Sequence, residues 1–283
     1  MEEQINPSEL PAIQVSVDDL RIANMLLGRT ELVTIPTTVG MKIQKLSTQS
    51  ALLSTSVSGL WQGQGKQQRV ALKAQVASPD LGKLLASMQY ADMINRGEVN
   101  ADIDIFWSGA LTDFSLQTIS GVLDLNIKEG QILHVEPGGS GRVLGLFSLA
   151  EIPRRLSLDF SDFFGKGFAF KKMSGHFNFA HGKANTDNFL ITAPAADIKI
   201  SGTTDYLTQQ FNQVVEVYPK TSGVLPVIGA LAAGPIGIAA GVVAQAVLKK
   251  PIGSTTETKY IITGPWAEPI VKKAEQSNNT SKK

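Results

Sequence analysis

The sequence contains no cysteine, which excludes disulfide bonds, thiolate nucleophiles and cysteine-ligated zinc sites. It also has little net charge, with 26 Lys and Arg against 25 Asp and Glu, and no basic run interleaved with aromatic residues. Such a chain has no strong field to attract a polyanion, so nucleic-acid binding is not expected. The absence of cysteine fits cytosolic and exported proteins alike and leaves the compartment open.

Residues that commonly carry catalysis are scarce. The three histidines, His134, His176 and His181, have no metal-ligand spacing and are interpreted as exposed or edge side chains. Asp159 and Asp162 are close in sequence, but no partner base can be named for them, and a solvated strand end explains them better. We therefore predict no catalytic residue, no metal site and no cofactor, and we do not expect an enzyme.

A glycine-rich run at 138–142 reads GGSGR. It lacks the lysine of a phosphate-binding P-loop, and arginine replaces the final glycine of a GxSxG nucleophile elbow. The run is interpreted as a simple loop. Anion binding by its backbone amides, for example of a lipid headgroup phosphate, is the alternative.

The first 12 residues are acidic, contain proline and lack both the basic and the apolar part of a signal peptide. A strand-like pattern begins directly after them, at Ile13. We expect the chain to be a fragment of a longer protein whose export signal lies upstream.

Alternation of apolar and polar residues is the dominant pattern. Val99, Ile103 and Ile105 alternate with Asp102 and Asp104. The same alternation recurs in four further segments, 69–77, 119–127, 196–202 and 211–218. Successive side chains of a strand point to opposite faces, so each segment predicts a strand with one apolar face. One-sided alternation is typical of antiparallel sheets. The sequence therefore predicts a mainly β fold built on a long antiparallel sheet.

Two short helices are predicted between strands. Asp80 can cap a helix that begins at Leu81 and carries apolar residues at i, i+3, i+4 and i+7. Residues 141–149 predict a second helix that ends before Pro153. Both are expected to cover ends of the sheet.

The segment 223–248 has no charged residue, and lysines flank it on both sides. A run of about 20 apolar residues can cross a bilayer, but Pro235 divides this one near its middle. Three structures remain open: a helical hairpin docked on a membrane, a kinked transmembrane helix, and a hairpin packed inside the sheet. The residues predicted to contact a membrane are Val224, Leu225, Val227, Ile228, Leu231, Ile236, Ile238, Val242, Val243, Val247 and Leu248.

Several runs of the sequence resemble a known family. Residues 135–148 read VEPGGSGRVLGLFS, residues 152–160 read IPRRLSLDF, and residues 260–269 read YIITGPWAEP. With shorter matches at 106–109 and 193–196, these runs resemble the C-terminal region of the YhdP proteins, members of the AsmA-like superfamily of Gram-negative bacteria. The similarity extends from about residue 10 to residue 271.

The resemblance implies a long periplasmic protein, anchored in the inner membrane, whose sheet curls into an apolar groove. Family members are implicated in moving phospholipid from the inner to the outer membrane. This chain would form the membrane-distal end of the groove. Its partners would be phospholipid acyl chains, the outer membrane and an envelope protein. The alternative is a structural module that docks an outer-membrane partner without carrying lipid.

The predicted layout has four parts: a β-groove region at 1–222, an apolar hairpin that docks on a membrane or caps the groove at 223–250, a terminal strand segment at 251–271 and a disordered polar tail at 272–283. Pattern alone favours burial of the apolar faces against other elements, whereas the scarcity of helical sequence and the resemblance favour a lipid groove. The groove residues are predicted to be Val99, Ile103, Ile105, Trp107, Leu123, Leu125, Phe177, Phe179, Ile198, Ile200, Val215 and Val217.

Overall fold

The computed structural model describes residues 5–90, 93–133, 168–194, 196–220, 258–266 and 269–274. These residues form one antiparallel sheet of 13 strands, and the order of the strands in the sheet is their order in the chain. The strands are β1 Ile13–Ile22, β2 Met25–Thr37, β3 Gly40–Gln49, β4 Ser54–Gln62, β5 Arg69–Ser78, β6 Ile94–Ser108, β7 Ser120–Ile132, β8 Phe168–Ala180, β9 Lys183–Thr192, β10 Ala196–Asp205, β11 Gln210–Pro219, β12 Thr258–Pro265 and β13 Ile270–Lys273.

The sheet is a simple meander, in which each strand pairs with the next one along the chain. Within the described ranges, β1 and β13 each pair with a single strand, so the sheet does not close. The prediction of a mainly β, antiparallel fold is therefore confirmed. Its physical basis is the repeated two-residue period, because only a strand places alternate side chains on one face.

Helical structure in the described part of the chain consists of one α-helix, α1 Leu81–Ser87, and two 3-10 turns. The helix begins where it was predicted, since the Asp80 side chain accepts a hydrogen bond from the Lys83 backbone nitrogen at 3.0 Å. It buries Leu81, Leu84 and Leu85. Met88, which was expected to complete the apolar stripe, is instead the C-cap residue and is exposed.

Two glycine-containing segments of the sequence, KEGQ at 128–131 and AHGK at 180–183, predict hairpin-like reversals, because glycine can supply the positive φ of a tight turn, and the two predictions have different outcomes. The turn at 180–183 is confirmed, because Ala180 pairs with Lys183 and the two residues between them have positive φ. The reversal predicted at 128–131 is wrong, since β7 continues through it to Ile132. Strand β6 is long enough to keep pairing beyond Lys128, so the positive φ of Glu129 distorts the strand locally without ending it.

One face of the sheet carries the core. The larger cluster joins α1 to strands β6–β12. Its members that are at most 1% exposed are Phe189, Ile191, Ala193, Ile198, Ile200 and Val215. A second cluster surrounds three side chains that are neighbours in register across β4, β5 and β6, namely Trp61, Val70 and Trp107. The predicted apolar face is thus packed over part of its area.

Several predictions fall outside the described residues. They concern His134, the glycine-rich loop, the helix at 141–149, Asp159 with Asp162, and the apolar segment 223–248 with its predicted membrane contacts. One boundary can be corrected: Lys272 and Lys273 belong to β13, because they pair with Ile261 and Tyr260 of β12, whereas the polar tail was expected to start at 272.

Candidate functional site

A continuous line of apolar side chains crosses the first eight strands of the sheet, and we call it the apolar row. Each member is the direct cross-strand partner of the next: Val15, Leu32, Leu46, Val57, Ala74, Ile103, Leu123 and Phe177. Direct partners lie on the same face, and strands are about 4.8 Å apart, so seven steps extend for about 34 Å. The row therefore runs across the strands, along the length of the sheet.

The apolar row is open to solvent. Val15 is exposed, and the other seven members are neither fully buried nor fully exposed. An apolar surface of this length on one face of a sheet is unusual unless something covers it, because isolated apolar side chains, and not long continuous strips, are the norm on protein surfaces.

Sequence reasoning found the apolar face only from β5 onward, where the alternation at 69–77 includes Ala74, and it assigned groove residues only from β6 onward. In β3 the pairing with β4 shifts register between Ile43 and Leu46, so the apolar parity changes from odd to even within one strand. The two-residue period is broken there, and the pattern is lost in the sequence. The alternation of Ile13, Val15 and Val17 was the one local signal for the start of the row.

The far end of the apolar row opens into a cavity of about 220 Å³. Leu123 and Phe177, the last two members of the row, line the cavity, so the two features are continuous. The remaining lining comes from α1, the segment before β6, strands β6–β11 and the turn between β10 and β11, through Leu81, Met93, Ile94, Val99, Ala101, Leu125, Ile127, Ile132, Met173, Phe179, Ala184, Thr186, Phe189, Gly202, Thr204, Tyr206 and Gln213.

The structure places all twelve predicted groove residues on one face but divides them into three environments. Five of them line the cavity: Val99, Leu123, Leu125, Phe177 and Phe179. The residues Ile103 and Ile105 are half-buried on the sheet beside it.

The other five are packed inside protein. Ile198, Ile200, Val215 and Val217 belong to the larger core cluster and are at most 4% exposed. Trp107 belongs to the second cluster and donates a hydrogen bond from Nε1 to the Ala110 carbonyl at 2.8 Å. None of these five lines the cavity. Parity therefore identified the face correctly, but it did not show which part of the face is covered.

Polar side chains stand on this face at one end of the cavity. Gln213 is 3% exposed, and its Nε2 donates a hydrogen bond to Thr204 Oγ1 at 2.9 Å. Thr186 lines the wall beside them, and Gly202, which pairs with both Gln213 and Thr186, leaves the space between them free of a side chain. Burial raises the pKa of nearby Tyr206 to about 12, so its phenol stays neutral. Sequence reasoning missed this patch, although Gln213 falls on the apolar parity of β11, between Phe211 and Val215.

The opposite face of the sheet is charged. Lys73 contacts Asp104 at 3.1 Å, and His176 Nδ1 lies 2.8 Å from Asp124 Oδ1. A hydrogen bond from Lys45 lowers the pKa of Glu31. All these side chains are solvent-exposed cross-strand pairs, and among the described residues no group of three potential metal ligands comes together. The charged side chains on this face are explained by its contact with water, and they indicate no binding site.

A sequence profile of the YhdP protein family matches residues 1–271. The chain belongs to the YhdP family. Among curated proteins, the intermembrane phospholipid transporter YhdP of Escherichia coli K12 is 25% identical over 274 residues. That match covers 95% of this chain but 21% of the E. coli protein, so the chain spans about a fifth of the relative's length. No solved structure gives a significant match.

The resemblance to YhdP proteins noted in the sequence is thereby confirmed. In the part of the chain that the structure describes, no helix has the length and apolar character needed to span a bilayer.

Proposed function

We propose that this chain is a section of an intermembrane phospholipid conduit and that acyl chains lie along the apolar row. The observation that carries the proposal is the continuity of the row, which crosses eight strands and joins a cavity through Leu123 and Phe177. The relative's name, an intermembrane phospholipid transporter, gives the class of cargo.

The energetics favour such a surface. An acyl chain loses about 0.8 kcal/mol per methylene when it leaves an apolar environment, so a chain of about 16 carbons would lose about 12 kcal/mol in water. A continuous apolar strip reduces this loss at every position along the path. Aliphatic side chains such as Leu46, Val57 and Ile103 make non-directional contacts, which suit a ligand that slides.

The cavity supports a curved sheet in this region. Strands β6 to β11 would cover about 24 Å if they lay flat, at about 4.8 Å per strand. Their side chains nevertheless line one cavity together with Leu81 of α1. We infer that the sheet bends around the cavity, with its apolar face inside, and that the apolar row is the open continuation of this trough.

We further propose the placement that the family implies. The full-length protein would be anchored in the inner membrane and would extend through the periplasm, with this chain at its membrane-distal end near the outer membrane. In this arrangement the chain receives lipid from the preceding part of the groove and has no catalytic role. The charged outer face would contact the aqueous periplasm.

Mass spectrometry of the purified 283-residue chain tests the proposed cargo. We expect phospholipid to co-purify, because the apolar row and the cavity would otherwise be exposed to water. A variant with Leu46→Asp and Leu123→Asp should lose most of this lipid, whereas a variant with the same two charges on the opposite face, Ser58→Asp and Val122→Asp, should keep it. Absence of lipid from the unmodified chain would contradict the proposal.

The second candidate function is a structural module that binds an envelope partner. The extensive protein core around Ile198, Ile200 and Val215 favours it, because a face that is packed in this way stabilises the fold without any lipid. This candidate predicts a folded chain with no co-purified lipid, so the same measurement distinguishes the two.

We also propose that the segment 223–248 docks on a membrane, most readily as a helical hairpin. Burial of about 20 apolar side chains at about 1.5–3 kcal/mol each would far exceed what docking requires, even after a large discount for partial insertion. In liposome flotation, the intact chain is expected to float and a chain lacking 223–248 to remain at the bottom. A chain with Val227→Asp and Ile238→Asp keeps the length of the segment and should float less. Equal flotation of all three would assign the segment to internal packing.

A further inference from the structure

The segment that precedes β1, residues 5–10, packs on the sheet without being one of its strands, and we call it the strap. The Ile5 carbonyl accepts a hydrogen bond of 2.7 Å from Gln68 Nε2, in the connection between β4 and β5. Leu10 packs against the second cluster, and Pro7, which lies between these two anchors in the sequence, is less than 2% exposed. The strap therefore reaches from β1 to the connection between β4 and β5.

The second cluster, which Leu10 contacts, stands on the same face as the apolar row. Its members Trp61, Val70 and Trp107 each lie four residues along their strand from a member of the row. Four residues of a strand return to the same face and extend for about 13 Å. Leu72 and Ile105, cross-strand partners that stand between the row and these three residues, also pack against the cluster. A continuous apolar surface thus leads sideways from the row to the two tryptophans.

Two linked hydrogen bonds fasten the strap. Trp61 Nε1 donates to Gln68 Oε1 at 2.9 Å, and Gln68 Nε2 donates to the Ile5 carbonyl. Gln68 is 3% exposed, so a tryptophan of the cluster orients the buried amide that holds the strap. Among the described residues, the bond from Gln68 is the one hydrogen bond that joins residues 5–10 to the sheet.

The other hydrogen bonds of the strap are internal. Asn6 Oδ1 accepts from Ser8 Oγ at 2.8 Å, and Asn6 Nδ2 donates to Glu9 Oε1 at 2.7 Å. The strap can therefore leave the sheet as a unit, and it then loses the bond from Gln68 and the burial of Pro7 and Leu10. An acyl chain has more methylene groups than these two side chains, so its burial on the cluster can compensate for their loss.

We propose that the strap is a displaceable side wall of the lipid path: a phospholipid acyl chain displaces Leu10 from the second cluster and lies against Trp61 and Trp107. The strap thereby controls lateral entry of lipid into the apolar row at β4–β6. Trp107, a predicted groove residue, is 3% exposed while the strap is attached and joins the groove when it leaves. This inference rests on the proposed function and adds a point of control to it.

Fluorescence quenching by a brominated phospholipid tests the inference in the 283-residue chain. Bromine on an acyl chain quenches a tryptophan at near contact, and two of the three tryptophans of the chain, Trp61 and Trp107, belong to the cluster. The probe is vesicles of phosphatidylcholine that is brominated on both acyl chains. Quenching of these tryptophans reports an acyl chain beneath the strap.

A cross-link that fastens the strap is the main comparison. The chain has no cysteine, so Ile5→Cys and Gln67→Cys introduce its only two thiols, both at exposed positions on either side of the Gln68 bond. A bis-maleimide that joins them holds the strap on the sheet, and we expect quenching to fall by at least about twofold relative to the same chain before cross-linking. Liposome flotation of both forms shows whether they bind the vesicles equally.

A matched pair of substitutions loosens the strap without a cross-link. Leu10→Ser removes the side chain that packs against the cluster, and we expect quenching to rise by at least about twofold. Ile5→Ser changes another large apolar residue of the strap, but its side chain is 59% exposed and its anchor is the main-chain carbonyl, so quenching should not change. Urea unfolding of both variants shows whether they remain folded.

The outcomes separate this inference from the proposed function. Equal quenching of the cross-linked and the uncross-linked chain would overturn the inference, since access of acyl chains to the tryptophans would not depend on the strap. Equal quenching of Leu10→Ser and Ile5→Ser would also overturn it. If phospholipid still co-purifies in either case, the conduit stands and the strap is a structural contact; if no chain is quenched and no phospholipid co-purifies, both proposals fail.

Discussion

A photo-crosslinking residue at Ile103 is expected to capture phospholipid, whereas the same residue at Asp102 is not. Ile103 is half-buried in the apolar row between Ala74 and Leu123. Asp102 points to the opposite face, where its carboxylate accepts a hydrogen bond from Gln75 at 3.0 Å. The two positions are adjacent in sequence, so a label at either one should affect expression and the local backbone to a similar extent. The difference between them is the face of the sheet that carries the label. The measurement is mass-spectrometric identification of lipid on the labelled chain after expression in cells.

Substitution of Ile103 by aspartate is the corresponding functional test. An acyl chain over this position would have to desolvate the new carboxylate, at a cost of at least about 2 kcal/mol. Lipid capture at the neighbouring row position Val57 should therefore fall by at least about tenfold. Ser58→Asp places the same charge on the opposite face of the adjoining part of the sheet and serves as the control, for which capture should be unchanged.

Equal lipid capture at Ile103 and Asp102, or no capture at either, would show that the apolar row is an ordinary protein surface and not a lipid-binding one. The structural module would then be the better account of the chain. Urea unfolding of the Ile103→Asp variant is the control that shows whether this variant is still folded. Because Ile103 is half-buried, the charge can reach water, and the protein is expected to remain folded.

Replacement of Ile200 by alanine is expected to lower the free energy of unfolding by about 2–5 kcal/mol. Ile200 has no exposed surface and lies between Phe189 and Val215, its cross-strand partners in the larger core cluster. Truncation leaves a cavity that these rigid neighbours cannot fill. Ile103→Ala, in contrast, removes partly solvated atoms and should lower the same quantity by about 1 kcal/mol. Urea titration of both variants measures the difference.

The same contrast predicts the behaviour of Ile198 toward lipid. The parity of β10 suggested that Ile198 contacts acyl chains, but it is 1% exposed and packs in the core opposite Ile191 and Val217. A photo-crosslinking residue there is expected to capture protein and no phospholipid. Similar stability losses for Ile200→Ala and Ile103→Ala, together with lipid capture at Ile198, would show that this part of the face is an open groove.

The sequence by itself determined the fold class, many of the strands and the apolar face of those strands. Strands β5, β10 and β11 lie within a few residues of the segments predicted at 69–77, 196–202 and 211–218, because the two-residue period of a strand is a local property of the chain. The cap at Asp80 and the reversal at His181 and Gly182 were likewise predictable, since both depend on residues that are close in sequence. Membership of the YhdP family could also be recognised from the sequence, in the runs at 135–160 and 260–269.

Only the tertiary structure decided how the apolar face is used. Register shifts such as the one between Ile43 and Leu46 set which residues of distant strands are neighbours, and they conceal the apolar row from any search for a regular period. Ile103 and Ile200 look equivalent in the sequence, yet one is open and the other buried, because burial depends on what packs over a face and not on the strand itself.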